Sequence, residues 1–353
     1  MPNALAKLLG TAAPWPNGHS AGATRNHERR SRWPLFGLRD IPGDCHVARN
    51  AGNVTYIIHG NLRNPDDHIR TCSTLRPFFS NFASFASMSI DSNSPPVVDI
   101  DPRFAGIARL YGVQGLARLR RAHVAVIGVG GVGSWAAEAL ARSGVGQLTL
   151  IDGDDICLSN VNRQMHALEG NYGKLKVDVL AERLRSIDPA LIVNPQARFL
   201  TPSTLDSIGE GGFDAVLDAC DAFRVKVETI VYCRRRKIPL IVSGSAGGRT
   251  DPTQIRVRDL SRTEHDALLS LIRKKLREEF KYPRGPKRYF GVPAVYSLEN
   301  VRYPSADGGV CLNKPDTLEE GRLDCGGGLG AATHVTGAFA FVAVGELIRR
   351  MLL

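Results

Sequence analysis

Four closely spaced glycines could hold a phosphate group. They are Gly128, Gly130, Gly131 and Gly133 in the segment GVGGVGS, which directly follows the apolar run VAVI. Glycine permits a tight turn and a close approach of the backbone to phosphate, and a helix beginning here would point free N–H groups at the anion. The pattern predicts a nucleotide-binding turn, but it does not distinguish NAD from ATP.

An acidic residue suited to an NAD site is also present. Such a site carries a carboxylate about 20 residues after the glycines, where it binds ribose hydroxyls. Asp152 in the segment LIDGDD meets this spacing, and Asp154 follows closely. Both nucleotides contain a ribose, so NAD and ATP remain alternatives at this point.

Charged side chains further along the chain favour ATP. Cleavage of a triphosphate develops negative charge on phosphate oxygens, which Arg163 and Lys176 would stabilise, whereas hydride transfer has no such need. Asp221 in VLDACD is expected to end a strand, at the sheet edge where α/β proteins bind ligands. There it would hold Mg²⁺ against the phosphates, cap the following helix, or do both.

The apolar pattern predicts the elements that position these residues. Five runs read as strands, and helical patterns separate most of them; the strands are HVAVIGV, QLTLIDGD, LIVNPQARFL, FDAVLDACD and IPLIVSGSAGG. This alternation predicts an α/β fold, a Rossmann-like, doubly wound and mostly parallel sheet with helices on both faces.

Composition narrows the class of protein. The chain has 353 residues, of which 43% are hydrophobic, and a formal net charge of +10 that favours an acidic partner such as tRNA. Its seven cysteines are odd in number and form no Cys-x-x-Cys pair. This argues against a disulfide framework or a zinc site and favours a cytoplasmic location.

The chain is expected to divide into three parts. Residues 1–87 lack a sustained period, so little stable structure is expected there. A mis-assigned start with Met88 as the true one, a disordered tail and a targeting peptide are the alternatives. Residues 88–102 form a predicted linker, and residues 103–353 form the predicted nucleotide-binding domain.

A basic insert, residues 262–304, has the composition of a nucleic-acid surface. Its cations are interleaved with Tyr282 and Tyr289, which favours tracking of a phosphate backbone, and a solvated helix face is the alternative. The candidate tRNA-binding residues are Arg273, Lys274, Lys275, Arg277, Lys281, Arg284, Lys287 and Arg288.

An apolar helix is predicted over residues 331–350. Its apolar stretch from Val335 to Val344 is short of the roughly 20 residues that cross a membrane. We expect this helix in the core or in a dimer interface, with weak membrane association as the alternative.

The order of several motifs resembles a known superfamily. GVGGVGS, IDGDDICLSNVNRQ, GKLK and LDACD follow one another as in the ubiquitin-activating-enzyme-like, or MoeB–ThiF, proteins. RFAGIARLYG, YCRRRKIPL, AGGRTDPTQIRVRDLSRT and DCGGGLGAATHVTGAFAFVAV resemble the family of tRNA threonylcarbamoyladenosine dehydratases, over roughly residues 101–353. The resemblance implies an adenylating fold and an ATP-dependent cyclisation of threonylcarbamoyladenosine beside the tRNA anticodon.

The resemblance also implies roles for individual residues. Arg163, Lys176 and Asp221 would be catalytic, with Asp221 positioning Mg²⁺ or the α-phosphate. Besides the glycines, the side chains that would bind the nucleotide or brace its loop are Asp152, Asp154, Asn160 and Gln164. A monovalent cation, a homodimer and a cysteine desulfurase partner are further expectations from the family.

One departure from the superfamily pattern concerns the dimer. Many members have an Arg-Phe-x-Arg segment whose second Arg reaches the partner's phosphates, and Gly106 occupies that position here. Arg103 or Arg109 is expected to replace it.

A second departure concerns cysteine. The protein-activating relatives carry a nucleophilic cysteine, and the corresponding stretch FGVPAVYSLENVRYP has none. This favours direct cyclisation over the alternative function, adenylation of a ubiquitin-like or sulfur-carrier protein. Cys233 is expected in the core, and no sequence neighbour of Cys311 or Cys325 is suited to lowering a thiol pKa.

Overall fold

The structure is a computed structural model in which the chain forms two units. It describes residues 44–50, 53–59, 100–285, 287–305, 307–313 and 329–353. The units are residues 1–94 and residues 95–353. The boundary falls within the predicted linker, most of which lies outside the described residues.

The first unit contains a β-hairpin. Strands β1 (Asp44–Asn50) and β2 (Asn53–His59) pair in antiparallel fashion, with Asn50 opposite Asn53. This hairpin is regular structure in a part of the chain where little was expected from the sequence. The rest of residues 1–87 lies outside the described part of the chain.

The second unit is built on a seven-stranded sheet. Its spatial order is β5-β4-β3-β6-β7-β9-β8, with β8 antiparallel to β9 and all other neighbours parallel. This confirms the predicted doubly wound, mostly parallel sheet. The strands are β3 (His123–Ile127), β4 (Gln147–Ile151), β5 (Ile192–Gln196), β6 (Ala215–Asp218), β7 (Leu240–Ser243), β8 (Ile255–Asp259) and β9 (Pro293–Ser297). Two short strands, β10 (Tyr303–Pro304) and β11 (Val310–Cys311), pair separately.

Helices cover both faces of this sheet. They are α1 (Ala105–Arg121), α2 (Gly133–Arg142), α3 (Lys176–Ile187), α4 (Asp206–Glu210), α5 (Phe223–Arg236), α6 (Ala267–Glu279) and α7 (Thr333–Leu352). Because side chains alternate along a strand, Val124 and Val126 face α2, α3 and α7, whereas Ala125 and Ile127 face α5 and α6.

The C-terminal helix α7 is part of the core. Val335, Phe339, Val344 and Leu347 are buried against the sheet. Within the described ranges, no helix combines the length and apolar character needed to cross a bilayer. The apolar sequence of α7 therefore reflects burial against the sheet.

Candidate nucleotide site

The glycine turn lies at the carboxyl edge of the sheet, between β3 and α2. Gly128 has a φ of 78°, and a Cβ there would lie 2.8 Å from the backbone nitrogen of Cys220. A Cβ on Gly133 would lie 1.8 Å from the carbonyl oxygen of Gly128. Both positions therefore require glycine. The N–H groups of residues 130–133 donate to no other described residue, which leaves a helix start open to an anion.

Asp152 ties the end of β4 to this turn. Its carboxylate accepts hydrogen bonds from the N–H of Val129 at 2.8 Å and from the N–H of Asp154 at 2.9 Å. Burial raises the pKa of the Asp152 carboxyl, and the two N–H donors oppose that shift. Asp152 thus holds the glycine turn in place. It does so from the position next to which a ribose would lie.

Lys176 is held next to Asp152 by an ion pair. It begins α3, and its Nζ lies 2.7 Å from the Asp154 carboxylate. Only 7% of the Lys176 side chain is exposed, against 52% for Asp154. The cation therefore projects from the buried side of the site toward an acidic group that solvent can reach.

Arg163 and Gln164 lie against the glycine turn with unmet hydrogen-bonding capacity. Arg163 Nη1 donates to the carbonyl of Ser159 at 2.8 Å, while Nη2 is buried without a partner among the described residues. The buried Oε1 of Gln164 also lacks a described partner. A Cβ on Gly130 would lie 3.6 Å from Gln164 Nε2. Buried polar atoms are normally paired, so these two side chains fit a polar ligand above the glycines.

Asn160 braces the loop that carries Arg163. Its buried Oδ1 accepts a hydrogen bond from the Cys157 N–H at 3.1 Å, which closes a short helical turn. Of the two alternatives for Asn160, this contact matches the bracing role. Gln164 differs from Asn160, because its Oε1 has no partner among the described residues.

The prediction that Asp221 ends a strand was wrong. Strand β6 ends three residues earlier at Asp218, and α5 is capped at Ala222 without a side-chain hydrogen bond. Asp221 is exposed on the intervening loop. The error arose because the alternation of VLDACD does not reveal where the strand stops, and the chain turns as Cys220 packs against Gly128.

The residue that ends the strand, Asp218, forms a fully buried ion pair. Lys226 Nζ donates to Asp218 Oδ1 at 2.8 Å and to its carbonyl at 3.0 Å, and both side chains are 0% exposed. Burial alone would lower the pKa of Lys226, but the Asp218 carboxylate raises it above its usual value. Sequence reasoning missed this pair. The feature of the sequence that could have revealed the pair is a lysine, Lys226, on the apolar face of a helix beside Val227 and Ile230.

Cys220 lies beside the glycine turn. Burial, reinforced by the Asp218 carboxylate, raises its thiol pKa well above the usual value. Cys233 is fully buried, as predicted, with a pKa raised to about 12 by burial. Cys311 contacts backbone carbonyls, and Cys325 lies outside the described residues.

Two further buried groups at the site were not predicted. His166 Nε2 lies 3.0 Å from the carbonyl of Val129, and burial lowers the pKa of this imidazole to about 4. The hydroxyl of Ser134, in the first turn of α2, is buried with no partner among the described residues. Neither residue stands out in the sequence because a single His or Ser carries no specific signal of its own.

The two candidate dimer arginines differ in their surroundings. Arg103 donates to Asp101 and lies 3.1 Å from the buried carboxylate of Asp188, so it supports the start of α1. Arg109 is exposed on α1 next to exposed Leu110 and Tyr111. Arg109 is therefore the one that can move toward another molecule.

The part of the basic insert that follows α6 does not lie beside the glycine turn. Helix α6 begins near the carboxyl edge, where Asp266 accepts from the N–H of Ser245 just after β7. It ends near the opposite edge, where the N–H of Phe290 donates to Asp259 just before β9 begins. Thirteen helical residues span about 20 Å. The segment after α6 is thus separated from the glycine turn by roughly the height of the sheet.

The candidate tRNA-binding cations fall into two groups. Arg273, Lys275 and Arg277 are engaged within the fold, by Thr263, Glu279 and the ring of Phe290 respectively. The exposed remainder are Lys274, Lys281, Arg284, Lys287 and Arg288.

The opposite edge also carries a cavity. It measures about 390 Å³ and is lined by Arg234, Arg235, Lys281 and Tyr289, among others. Arg262 stacks over the Tyr289 ring at 5.0 Å. This combination of exposed cations and an aromatic ring is typical of a nucleic-acid surface.

Three features define a nucleotide-binding protein of the doubly wound α/β class: the glycine turn, the Asp152 carboxylate beside it, and the buried cations Arg163 and Lys176. The ThiF family profile matches residues 104–352. The tRNA threonylcarbamoyladenosine dehydratase of Escherichia coli (strain K12) is 48% identical over 250 residues, which are 71% of this chain and 93% of that protein. The Haemophilus influenzae protein of the same name is 46% identical, over 71% of this chain and 94% of its own length.

Solved structures agree with these relatives. The E. coli tRNA N6-threonylcarbamoyladenosine dehydratase, TcdA, in complex with ATP is 44% identical with a TM-score of 0.62, covering 70% of this chain and 93% of that chain. A complex of the same enzyme with AMP aligns equally well. The chain belongs to the ThiF family and, within it, to the tRNA threonylcarbamoyladenosine dehydratases.

Proposed function

We propose that this chain uses ATP to convert threonylcarbamoyladenosine in tRNA to its cyclic form with loss of water. The observation that carries the proposal is the pair of buried side chains, Arg163 and Gln164, with unmet hydrogen bonds against an open glycine turn. Support comes from one relative, the E. coli dehydratase, which was solved with ATP and with AMP.

The chemistry needs activation of a poor electrophile. The threonyl carboxylate attacks the α-phosphate of ATP, pyrophosphate leaves, and an acyl-adenylate forms. The urea carbonyl oxygen then attacks the activated carbonyl carbon, which closes a five-membered ring and expels AMP. Because both reacting groups belong to one nucleoside held in one site, ring closure is effectively unimolecular.

The residues divide this work by charge. The N–H groups of residues 130–133 and the Arg163 guanidinium stabilise charge developing on the phosphates. Lys176 adds a second cation, which its ion pair with Asp154 holds in place. Asp152 binds the ribose hydroxyls beside the turn. Asp221, exposed on the loop after β6, would hold Mg²⁺, which would neutralise phosphate charge when bound, and a monovalent cation near the nucleotide is part of the proposal.

A homodimer completes the proposed site. Arg109 lies beside the exposed apolar side chains Leu110, Tyr111 and Val113, which a partner subunit would cover. Its guanidinium would then reach the partner's phosphates in place of the missing arginine at Gly106. Arg103 takes no part because Asp101 and Asp188 hold it.

The proposed partners of the chain are tRNA, on the evidence of the basic surface, and a supporting protein. The exposed cations after α6 would contact the tRNA backbone away from the reacting nucleoside, in the cytoplasm. A cysteine desulfurase system is the proposed supporting partner, on family resemblance. Weak membrane association through α7 has little support because the apolar face of α7 is buried.

The test is a direct assay of the product. The full chain is incubated with ATP, Mg²⁺ and tRNA bearing threonylcarbamoyladenosine, and the digested nucleosides are analysed by mass spectrometry. We expect an ATP-dependent loss of one water, and a sharp fall in rate for Arg163→Ala but not for Arg121→Ala, an exposed arginine at the end of α1. Unchanged nucleoside, with ATP–pyrophosphate exchange only on a carrier protein, would support the alternative adenylyltransferase.

A further inference from the structure

A buried arginine outside the glycine turn has unmet hydrogen bonds. Arg249 is 3% exposed, and its Nη2 donates to the carbonyl oxygen of His265. Its Nε and Nη1 are buried without a partner among the described residues, and no carboxylate of that part of the chain lies within ion-pair distance of it. The carboxylates of Asp266 and Glu299 act on Arg249 only from beyond ion-pair distance. A buried cation without a close counter-charge favours an anionic ligand nearby.

A cavity is lined by His265, the residue whose carbonyl oxygen accepts the hydrogen bond from Arg249. It measures about 600 Å³, within the usual size range of small-molecule sites. Its lining includes His265, Asp266, Arg273, Asn300, Tyr303 and Asn313. Two rings can stack on a base, and two amides can hydrogen-bond to its edge. The carboxylate of Asp266 is engaged by the N–H groups of Ser245 and Leu269.

The cavity and the glycine turn share one edge of the sheet. Asp266 accepts a hydrogen bond from the N–H of Ser245, which lies just after β7. The glycine turn lies just after β3, which runs parallel to β7, so both are at the carboxyl edge. The first turn of α7 connects the two regions. His334 Nε2 lies 3.1 Å from the carbonyl of Thr250, and a Cβ on Gly131 would lie 3.2 Å from the Thr336 methyl group.

We propose that this cavity binds the modified adenosine of the tRNA, with the positive charge of Arg249 and Arg273 attracting its threonyl carboxylate. The proposal rests on the proposed function, since it names where the acceptor lies relative to ATP. Arg249 acts from behind the cavity wall as a positioning residue, and Asn300 and Tyr303 contact the nucleoside.

The test separates acceptor binding from nucleotide binding. In the full chain, Arg249→Gln should raise KM for the modified tRNA about tenfold or more while leaving the Kd for ATP unchanged. Arg256→Gln is the matched control, because Arg256 is exposed on β8 and bonds only backbone carbonyls among the described residues. If Arg249→Gln does not fold, Asn300→Ala at the cavity rim gives the same readout, with ATP affinity reporting the fold.

A second measurement keeps this proposal distinct from the proposed function. Threonylcarbamoyladenosine nucleoside is titrated into the wild-type chain and into Arg249→Gln, with the methyl ester of its carboxyl group as the comparison. We expect the variant to weaken binding of the acid but not of the ester. Equal weakening of both, or an unchanged KM in an active enzyme, would overturn the site. An inactive wild type that still binds the acid would overturn only the proposed reaction.

Discussion

Replacing Lys226 by Met tests whether the buried ion pair holds the loop after β6. The methionine fills a similar volume, but the Asp218 carboxylate, 0% exposed, would keep only the N–H of Cys220 as a described partner. Breaking a buried pair from one side costs about 3–5 kcal/mol because an uncompensated charge stays buried. For an m value of roughly 2–3 kcal/mol/M, the urea midpoint should fall by about 1–2.5 M.

A double variant gives the decisive comparison. Asp218→Asn combined with Lys226→Met removes both charges, so it should recover more than half of the lost stability. Urea unfolding followed by circular dichroism measures both variants, with the exposed Lys274→Met as control. A single variant within about 0.5 kcal/mol of wild type, the usual range for a surface substitution, would refute the reasoning. So would a double variant that is less stable than Lys226→Met.

Three further predictions concern the site and its surroundings. Gly133→Ala should abolish measurable ATP binding in calorimetry, because its Cβ would lie 1.8 Å from the Gly128 carbonyl oxygen. The control is Gly345→Ala on α7, where a Cβ meets open space, and its free energy of unfolding should rise by up to about 1 kcal/mol. Because burial lowers the pKa of His166 to about 4, the stability it contributes is complete above a pH of about 6.5 and is lost as pH falls toward 4. Over that pH range, urea unfolding should show His166→Gln losing about 3 kcal/mol less stability than wild type. Arg109→Ala should lower turnover without changing the thermal midpoint, and an unchanged turnover would remove the cross-dimer role from Arg109.

The sheet and the glycine turn could be predicted well from the sequence, because both depend on local patterns. Alternation of strands and helices determines a parallel sheet, and the clash at Gly133 explains why glycine recurs there. The positions that failed depend on tertiary contacts. Asp221 and Asp218 are equally plausible strand ends in the sequence, and only the packing of Cys220 on Gly128 decides between them.

The same limit explains the basic insert and Arg249. The cations after α6 were predicted as one surface with no position relative to the glycine turn, and the direction of α6 places them at the edge away from that turn. Arg249 gives no local signal, since arginine in a polar loop is ordinarily exposed. Its burial results from contacts with residues 265 and beyond, which are distant in the chain.

The contacts of α7 have a consequence for the order of events during synthesis. Thr333 and Thr336 donate to the carbonyls of Asn162 and Arg163, so the loop behind the glycine turn is fixed by the last helix. Those threonines leave the ribosome about 200 residues after Gly133, roughly 10–40 s later at usual elongation rates. A nascent chain lacks its finished nucleotide site throughout that interval. ATP therefore stabilises the completed domain by mass action but cannot assist its early folding.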